Sequence, residues 1–130
     1  MKPINLATKL ASFHTQWDPK IIAELNGQHV KLVKLEGEFV WHAHAEADEL
    51  FLVIAGSLDM QYRERTVTVR EGELVVVPRG VEHCPRAEAE AHVLLFEPAG
   101  TLNTGDAGGD RTVTELQRIG PCIASLEDDP

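Results

Sequence analysis

From Val30 onward the chain is a succession of short β-like runs cut by turn residues, and that spacing admits few folds. The runs read HVKLVKLEG, EFVWHAH, ELFLVIAG, SLDMQYRE, RTVTVREG, ELVVVPRG and AHVLLFEP. Many short strands in close succession are the pattern of a sandwich or barrel. Alternation is plain over 29–35 and over 66–70, where Val67 and Val69 share a face. The breaks carry residues that turns require: Glu36-Gly37, Ala55-Gly56, Glu71-Gly72 and Arg79-Gly80. Two runs, 50–54 and 74–77, are apolar on both faces and must be covered twice. So little helix is on offer that a second sheet or a second subunit has to supply the cover. The expectation is an all-β, closed double-sheet barrel that forms a homodimer through one outer face.

Residues 1–28 are weakly patterned and read as an N-terminal segment, in which Trp17 is expected to tuck under the body as a lid. The barrel core is assigned to 29–98. Residues 99–130 form a glycine-rich polar connection and a C-terminal arm. In that arm Val113, Leu116 and Ile119 recur every third residue, the spacing of a short helix or an irregular strap. The acidic end, 126–130, is expected to fray.

At 130 residues this is one domain, and 43% hydrophobic with 25% charged residues is globular composition. Twelve basic against 21 acidic side chains give a net charge of -9, which argues against a nucleic-acid binder or a polybasic membrane-surface protein. No run approaches the roughly 18 apolar residues of a membrane span, and the opening stretch lacks the apolar core of a signal peptide. Two cysteines, Cys84 and Cys122, make no disulfide framework, so reduced thiols in the cytoplasm are expected.

Six histidines in so small a chain stand out. His42 and His44 are two apart, so on an extended strand both imidazoles leave the same face, with Cα atoms roughly 6.5–7 Å apart. Two ligands of one metal ion can bridge that span. Glu49 has the wrong parity for a continuous strand, but the Ala45-Glu46-Ala47-Asp48 stretch can turn the chain and bring it back beside them. A second stretch, Gly72 to His83, runs a buried strand into Pro78-Arg79-Gly80. Proline is tolerated at the strand end and glycine permits the reversal, which places His83 at a barrel rim facing inward.

These two stretches resemble the two sequence motifs of the cupin superfamily. The first is met by Gly37, His42, His44, Glu49 and Gly56, the second by Gly72, Pro78, Gly80 and His83. Leaving out Gly37, whose spacing departs, the remaining eight identities at fixed spacings match by chance on the order of 10⁻¹⁰ per start position. Two departures stand out: four residues rather than five separate Gly37 from His42, and Ala87 replaces a frequent asparagine. The resemblance implies a double-stranded β-helix, or jelly-roll, barrel of the one-domain type. The chain looks like the short bacterial cupins labelled as resembling mannose-6-phosphate isomerase, a label that reflects the barrel and does not fix the chemistry.

The resemblance also implies one divalent transition metal per chain, held by His42, His44, Glu49 and His83. Three neutral imidazoles and a carboxylate suit Mn, Fe, Ni, Co, Cu or Zn without choosing among them. The ion outweighs the charge of Glu49, so a small anionic oxygen ligand is expected there despite the acidic surface. The three imidazoles are expected to donate their second ring nitrogens to carbonyls or carboxylates. Phe39, by parity with the histidines, and Phe51 and Val53, by parity with Glu49, are candidate pocket walls. Tyr62 is a further candidate, with ordinary packing the favoured reading. His14, His29 and His92 have no ligand spacing, Arg79 reads as a solvated turn residue and Cys84 as a buried structural thiol. Trp41 should face away from the metal. No general acid or base outside the ligand set can be named. The leading expectation is a metal-dependent enzyme acting on a small oxygenated, anionic substrate, with isomerase, dioxygenase, decarboxylase and lyase chemistry all open. The alternatives are a non-catalytic metal or small-ligand binding or sensor protein and, last, a metal-free structural dimer.

Overall fold

The structure, a computed structural model, describes residues 2–120. Helix α1 (Leu6–Ala11) starts where the Asn5 side chain accepts a 2.9 Å hydrogen bond from the Thr8 amide, a cap that satisfies one of the free N–H groups of the first turn. The chain then enters β1 (Lys20–Leu25) and returns in β2 (Gln28–Glu38). Asn26 and Gly27 join them with φ of 51° and 74°, the two left-handed positions of a tight hairpin. The strands therefore begin ahead of residue 29, and the Asn-Gly pair is the signal for it. The remaining strands are β3 (Glu49–Ala55), β4 (Ser57–Tyr62), β5 (Thr66–Arg70), β6 (Leu74–Val77) and β7 (His83–Pro98).

Strands β1 to β7 pair antiparallel throughout, as hairpin-linked strands allow, and an isolated parallel bridge joins Ile21 to Arg118. The main order is β1-β2-β7-β3-β6, while β4 pairs with both β5 and the start of β7. Strand β7 is thus shared. Its first residues pair with β4 (Tyr62↔His83 to Asp59↔Arg86), and its later ones with β2 and β3. A register shift opposite Leu35–Gly37 bends it between the two halves. The result is the expected jelly-roll barrel.

Two cores follow from the two faces of β2. Val33 and Leu35 point inward with Phe51, Val53, Met60 and Val93. Leu32 points outward and is covered by Leu10, Phe13 and Ile22, which also shelter Ile54 and Leu94. Each such side chain contributes about 1.5–3 kcal/mol on burial. The N-terminal segment therefore covers part of the outer face, a role assigned in the sequence reading to a second sheet or subunit. It does not reach β6, where Leu74 and Val76 remain 56% and 48% exposed. Residues 99–120 are irregular, so the strap and not the helix is formed there. It rejoins the barrel where the Ile119 amide donates to the Ile21 carbonyl (2.9 Å) and Ile119 packs on the outer core. The acidic end, 126–130, lies outside the described residues. Among the described residues no helix is long and apolar enough to cross a membrane.

Candidate metal centre

His42 and His83 face each other in an antiparallel bridge, exchanging amide-to-carbonyl bonds of 3.0 and 2.9 Å. Gly80 donates its amide to the His44 carbonyl (2.8 Å), so the His-x-His stretch is laid along the Pro-x-Gly turn that precedes β7. The stretch is bridged at one residue and is not a regular strand, yet both imidazoles still project inward. Glu49 enters from the first position of β3. One ligand atom from each of His42, His44, Glu49 and His83 lies within 4.8 Å of all the others, and all four residues are buried.

The donor set meets a physical test for a cation. Glu49 Oε1 lies 3.2 Å from His44 Nε2 and 3.4 Å from His83 Nε2, and these three buried atoms have no hydrogen-bond partner. Leaving such groups unpaired costs roughly 1–3 kcal/mol each. His42 Nδ1 lies 2.8 Å from the Val40 carbonyl and His83 Nδ1 2.9 Å from that of Val81. Carbonyls only accept, so both Nδ1 atoms carry the proton and both Nε2 lone pairs point at the common centre. His44 makes no corresponding bond among the described residues, so the expected second-nitrogen contact holds for two of the three imidazoles. The residues fit a divalent transition metal.

Electrostatics reinforce the arrangement. Burial, with the adjacent His83 and His44, lowers the His42 pKa to about 4, so its imidazole is neutral and free to ligate. Burial alone would raise the pKa of Glu49. The polar groups packed against it, Glu97, His44 and His83, outweigh that and hold the carboxyl well below its ordinary range. Glu97 is pushed the other way, by its own burial and by its contact with Glu49, against the pull of Lys31.

A small cavity of about 30 Å³ opens beside His42 and Glu49. That is room for about one or two water-sized molecules. Phe39 and Phe51 line it, with Val33, Leu35, Pro85 and Leu95. Val53 does not: it is fully buried deeper in the barrel, on the same face of β3 but further from the mouth. Tyr62 does not either. It lines a separate surface groove with Val67, Val75 and Val81, because β4 carries it to the other side of β7. Trp17 closes the mouth, with its amide bonded to the Lys34 carbonyl (2.9 Å) and its Nε1–H to that of Glu36 (2.9 Å).

Pro19 and Asn103 also line the cavity, and neither belongs to any motif. A second unheralded contribution comes from 104–106. The Asp106 carboxylate accepts from the Ala43 amide (2.9 Å), and the Asp106 amide donates to the Ala43 carbonyl (3.1 Å). Ala43 sits between two ligands, so this clamp holds the His-x-His backbone. Gly105 makes it possible, since a Cβ there would collide with the Ala43 carbonyl. The Asp-Ala-Gly-Gly composition of the connection shows only a turn, with no trace of its target.

The remaining candidates fall where the sequence placed them, with one exception. Arg79 is exposed and pairs with Asp48 (3.2 Å). Cys84 is buried, and Trp41 turns from the centre to stack under the Arg63 guanidinium (4.0 Å). His14 is exposed and His92 pairs with Glu90 (3.0 Å). His29, for which a surface or strand-edge place was expected, is the exception in being buried: it lies against Glu24 (3.4 Å) where β1 covers β2.

Residues 28–97 match the cupin domain family. The chain is 46% identical to a cupin-2 domain containing protein from Shewanella frigidimarina, whose crystal structure superposes with a TM-score of 0.73 over 73% of this chain and 93% of that one. It is 35% identical to protein NMB1881 from Neisseria meningitidis, with a TM-score of 0.70 over 75% of this chain and all of the other. An uncharacterized protein of Bacillus subtilis, YdbB, is 33% identical over 77 residues, covering 58% of this chain and 68% of its own. Strand order, motif spacing and these likenesses agree: the chain belongs to the cupin family.

Proposed function

We propose that this cupin binds one divalent transition metal through Nε2 of His42, His44 and His83 and Oε1 of Glu49, and acts on a small oxygen-bearing molecule in the adjoining cavity. The observation that carries the reading is the convergence of three buried, unpartnered donor atoms on one point. Bound there, the ion would supply Lewis acidity toward a ligand oxygen. The chain's own contribution is to present the open side through His42 and Glu49, to exclude water with Trp17 and Phe39, and to hold the His42 imidazole neutral. Among the described residues lining the cavity there is no lysine or arginine. The preference for an anionic ligand therefore rests on the ion alone, and a sugar phosphate of the kind implied by the mannose-6-phosphate isomerase-like label has no basic partner in the wall.

Elemental analysis of protein purified without added metal tests the reading. Close to one equivalent of a transition metal per chain is expected, falling to near zero in a His83→Ala variant that keeps its far-ultraviolet circular dichroism. Wild-type protein without metal, and with no thermal shift on metal addition, would sink it.

A non-catalytic metal or small-ligand binding role is favoured by one observation. Among the described residues that line the cavity, the polar side chains outside the ligand set are Asn103 and the indole of Trp17, and neither is an acid or base. Turnover or oxygen uptake with small oxo- and hydroxy-acids separates the two roles. Self-association is also part of the proposal: exposed Leu74 and Val76 on β6, beside half-buried Leu50 and Leu52, offer an apolar face for a second copy. Light scattering of the wild type against Leu74→Lys/Val76→Lys checks it. A cytoplasmic setting is proposed on the buried free thiol of Cys84.

A further inference from the structure

Lys31 and Glu97 form an ion pair inside the barrel, 2.5 Å between Lys31 Nζ and Glu97 Oε2, with each side chain 1% exposed. Neither belongs to the ligand set. Taking two charges out of water costs several kcal/mol per ion, and an apolar pair of similar volume would serve the fold as well or better. The pair therefore asks for another explanation, and its position supplies one.

Lys31 shares its face of β2 with Val33 and Leu35, which point into the barrel. On β7, Glu97 continues the inward series of Val93 and Leu95. Leu50 pairs with Phe96 across β3 and β7, so one step further in the same register Glu49 faces Glu97. Both carboxyl groups are buried, Glu49 at 3% and Glu97 at 1% exposure, at adjoining positions of the two strands. Glu97 Oε2 is committed to Lys31, and Glu97 Oε1 is buried with no N–H donor. The order across the barrel is Lys31, Glu97, Glu49, then the meeting point of the imidazoles.

We propose that Lys31 and Glu97 are positioning residues for the metal ligand Glu49. The lysine anchors the Glu97 carboxyl, and Glu97 in turn fixes the Glu49 side chain so that its Oε1 stays on the side of His44 and His83. The inference rests on the metal reading above and deepens it, because it assigns the support of the one anionic ligand to two residues outside both motifs. Outer contacts of this type change metal affinity by about 10–100-fold when removed.

The test uses cobalt(II) as the probe, with affinity from chelator competition and geometry from the visible d–d bands. A Lys31→Met/Glu97→Leu double variant removes the pair without stranding a buried charge, and its folding is checked by thermal denaturation. We expect a folded barrel whose cobalt affinity is about 10–100-fold weaker, with shifted d–d bands. Glu97→Gln keeps an acceptor for Lys31 and a donor for Glu49, and should restore most of the affinity and the wild-type spectrum. Unchanged affinity and bands in the double variant would overturn the inference while leaving the metal reading intact. So would a Glu97→Gln variant as impaired as the double one, since that would mark a charge effect. Wild-type protein that binds no cobalt would overturn both.

Discussion

The indole of Trp17 lies flat on the ring of Phe39, with centroids 4.6 Å apart and planes 10° apart. Phe39 in turn meets the His42 imidazole edge-on at 5.6 Å. A residue from the unpatterned N-terminal segment is thereby coupled, through one aromatic ring, to a candidate ligand. Trp17 reaches this position with φ at 56°, a left-handed backbone that a bulky side chain adopts at a cost.

That backbone angle inverts a familiar ranking. Trp17→Ala and Trp17→Gly both lose the stack, worth about 0.5–1.5 kcal/mol. Glycine alone adopts the angle without strain, so Trp17→Gly should be the more stable variant by about 1 kcal/mol. Urea midpoints of the two variants decide it, and an alanine variant at least as stable as the glycine one would refute it.

Acidification should weaken the metal-free protein through His42. Its pKa is 6.5 when unfolded and about 4 when folded, lowered by burial and by His83 and His44. Between those values the unfolded chain binds more protons, so stability falls as pH drops from about 6.5 to about 4 and this contribution is exhausted below. The loss is on the order of 3 kcal/mol. Unfolding curves at several pH values read the slope. A His42→Leu variant should lack this part of it, and an identical slope would assign the titration elsewhere.

Cys84 should be chemically silent in the folded state. Burial, followed by the nearby charge of Glu38, raises its pKa to about 11. With Cys122 replaced by serine, Ellman's reagent at pH 8 should label no thiol until denaturant is added. Rapid labelling of the native protein would show that β7 opens at that point.

The Asp106 clamp makes a prediction at a distance from the ligands. Asp106→Ala removes the bond to the Ala43 amide, and Gly105→Ala forces the turn away from the Ala43 carbonyl. Both should loosen the His-x-His backbone and weaken zinc binding about 10-fold or more, with Gly105→Ala the more severe. Isothermal titration with zinc reads it, and wild-type affinity in both variants would remove the clamp from the site.

The barrel and the ligand cluster were legible in the sequence because both depend on local spacing. His42 and His44 have the parity of one face, and Pro78-Arg79-Gly80 turns the chain immediately before His83. Parity also placed Phe39 and Phe51 on the cavity, but could not say how deep along β3 the opening ends, which is why Val53 falls below it. Tyr62 depended on which strand β4 chooses as partner, a non-local fact. Trp17, Asn103 and Asp106 reach the site through tertiary docking of segments that lack periodicity. Lys31 has the inward parity of Val33 and Leu35, yet a lysine among valines reads as solvent-facing until its partner Glu97, 66 residues away, is known.

Strand β7 pairs with β2, β3 and β4, and it is the last strand among the described residues. During synthesis β2, β3 and β4 all wait for a common partner that emerges after them. The bridge to His83 and the Glu97 contact to Glu49 arrive on that same strand, at its two ends. Under the proposed metal reading, capture is thus tied to completion of the barrel: a nascent chain holding His42, His44 and Glu49 lacks the fourth ligand until β7 docks. On that reading, loading would follow the docking of β7, and an immature polypeptide would not trap an ion with an incomplete ligand set.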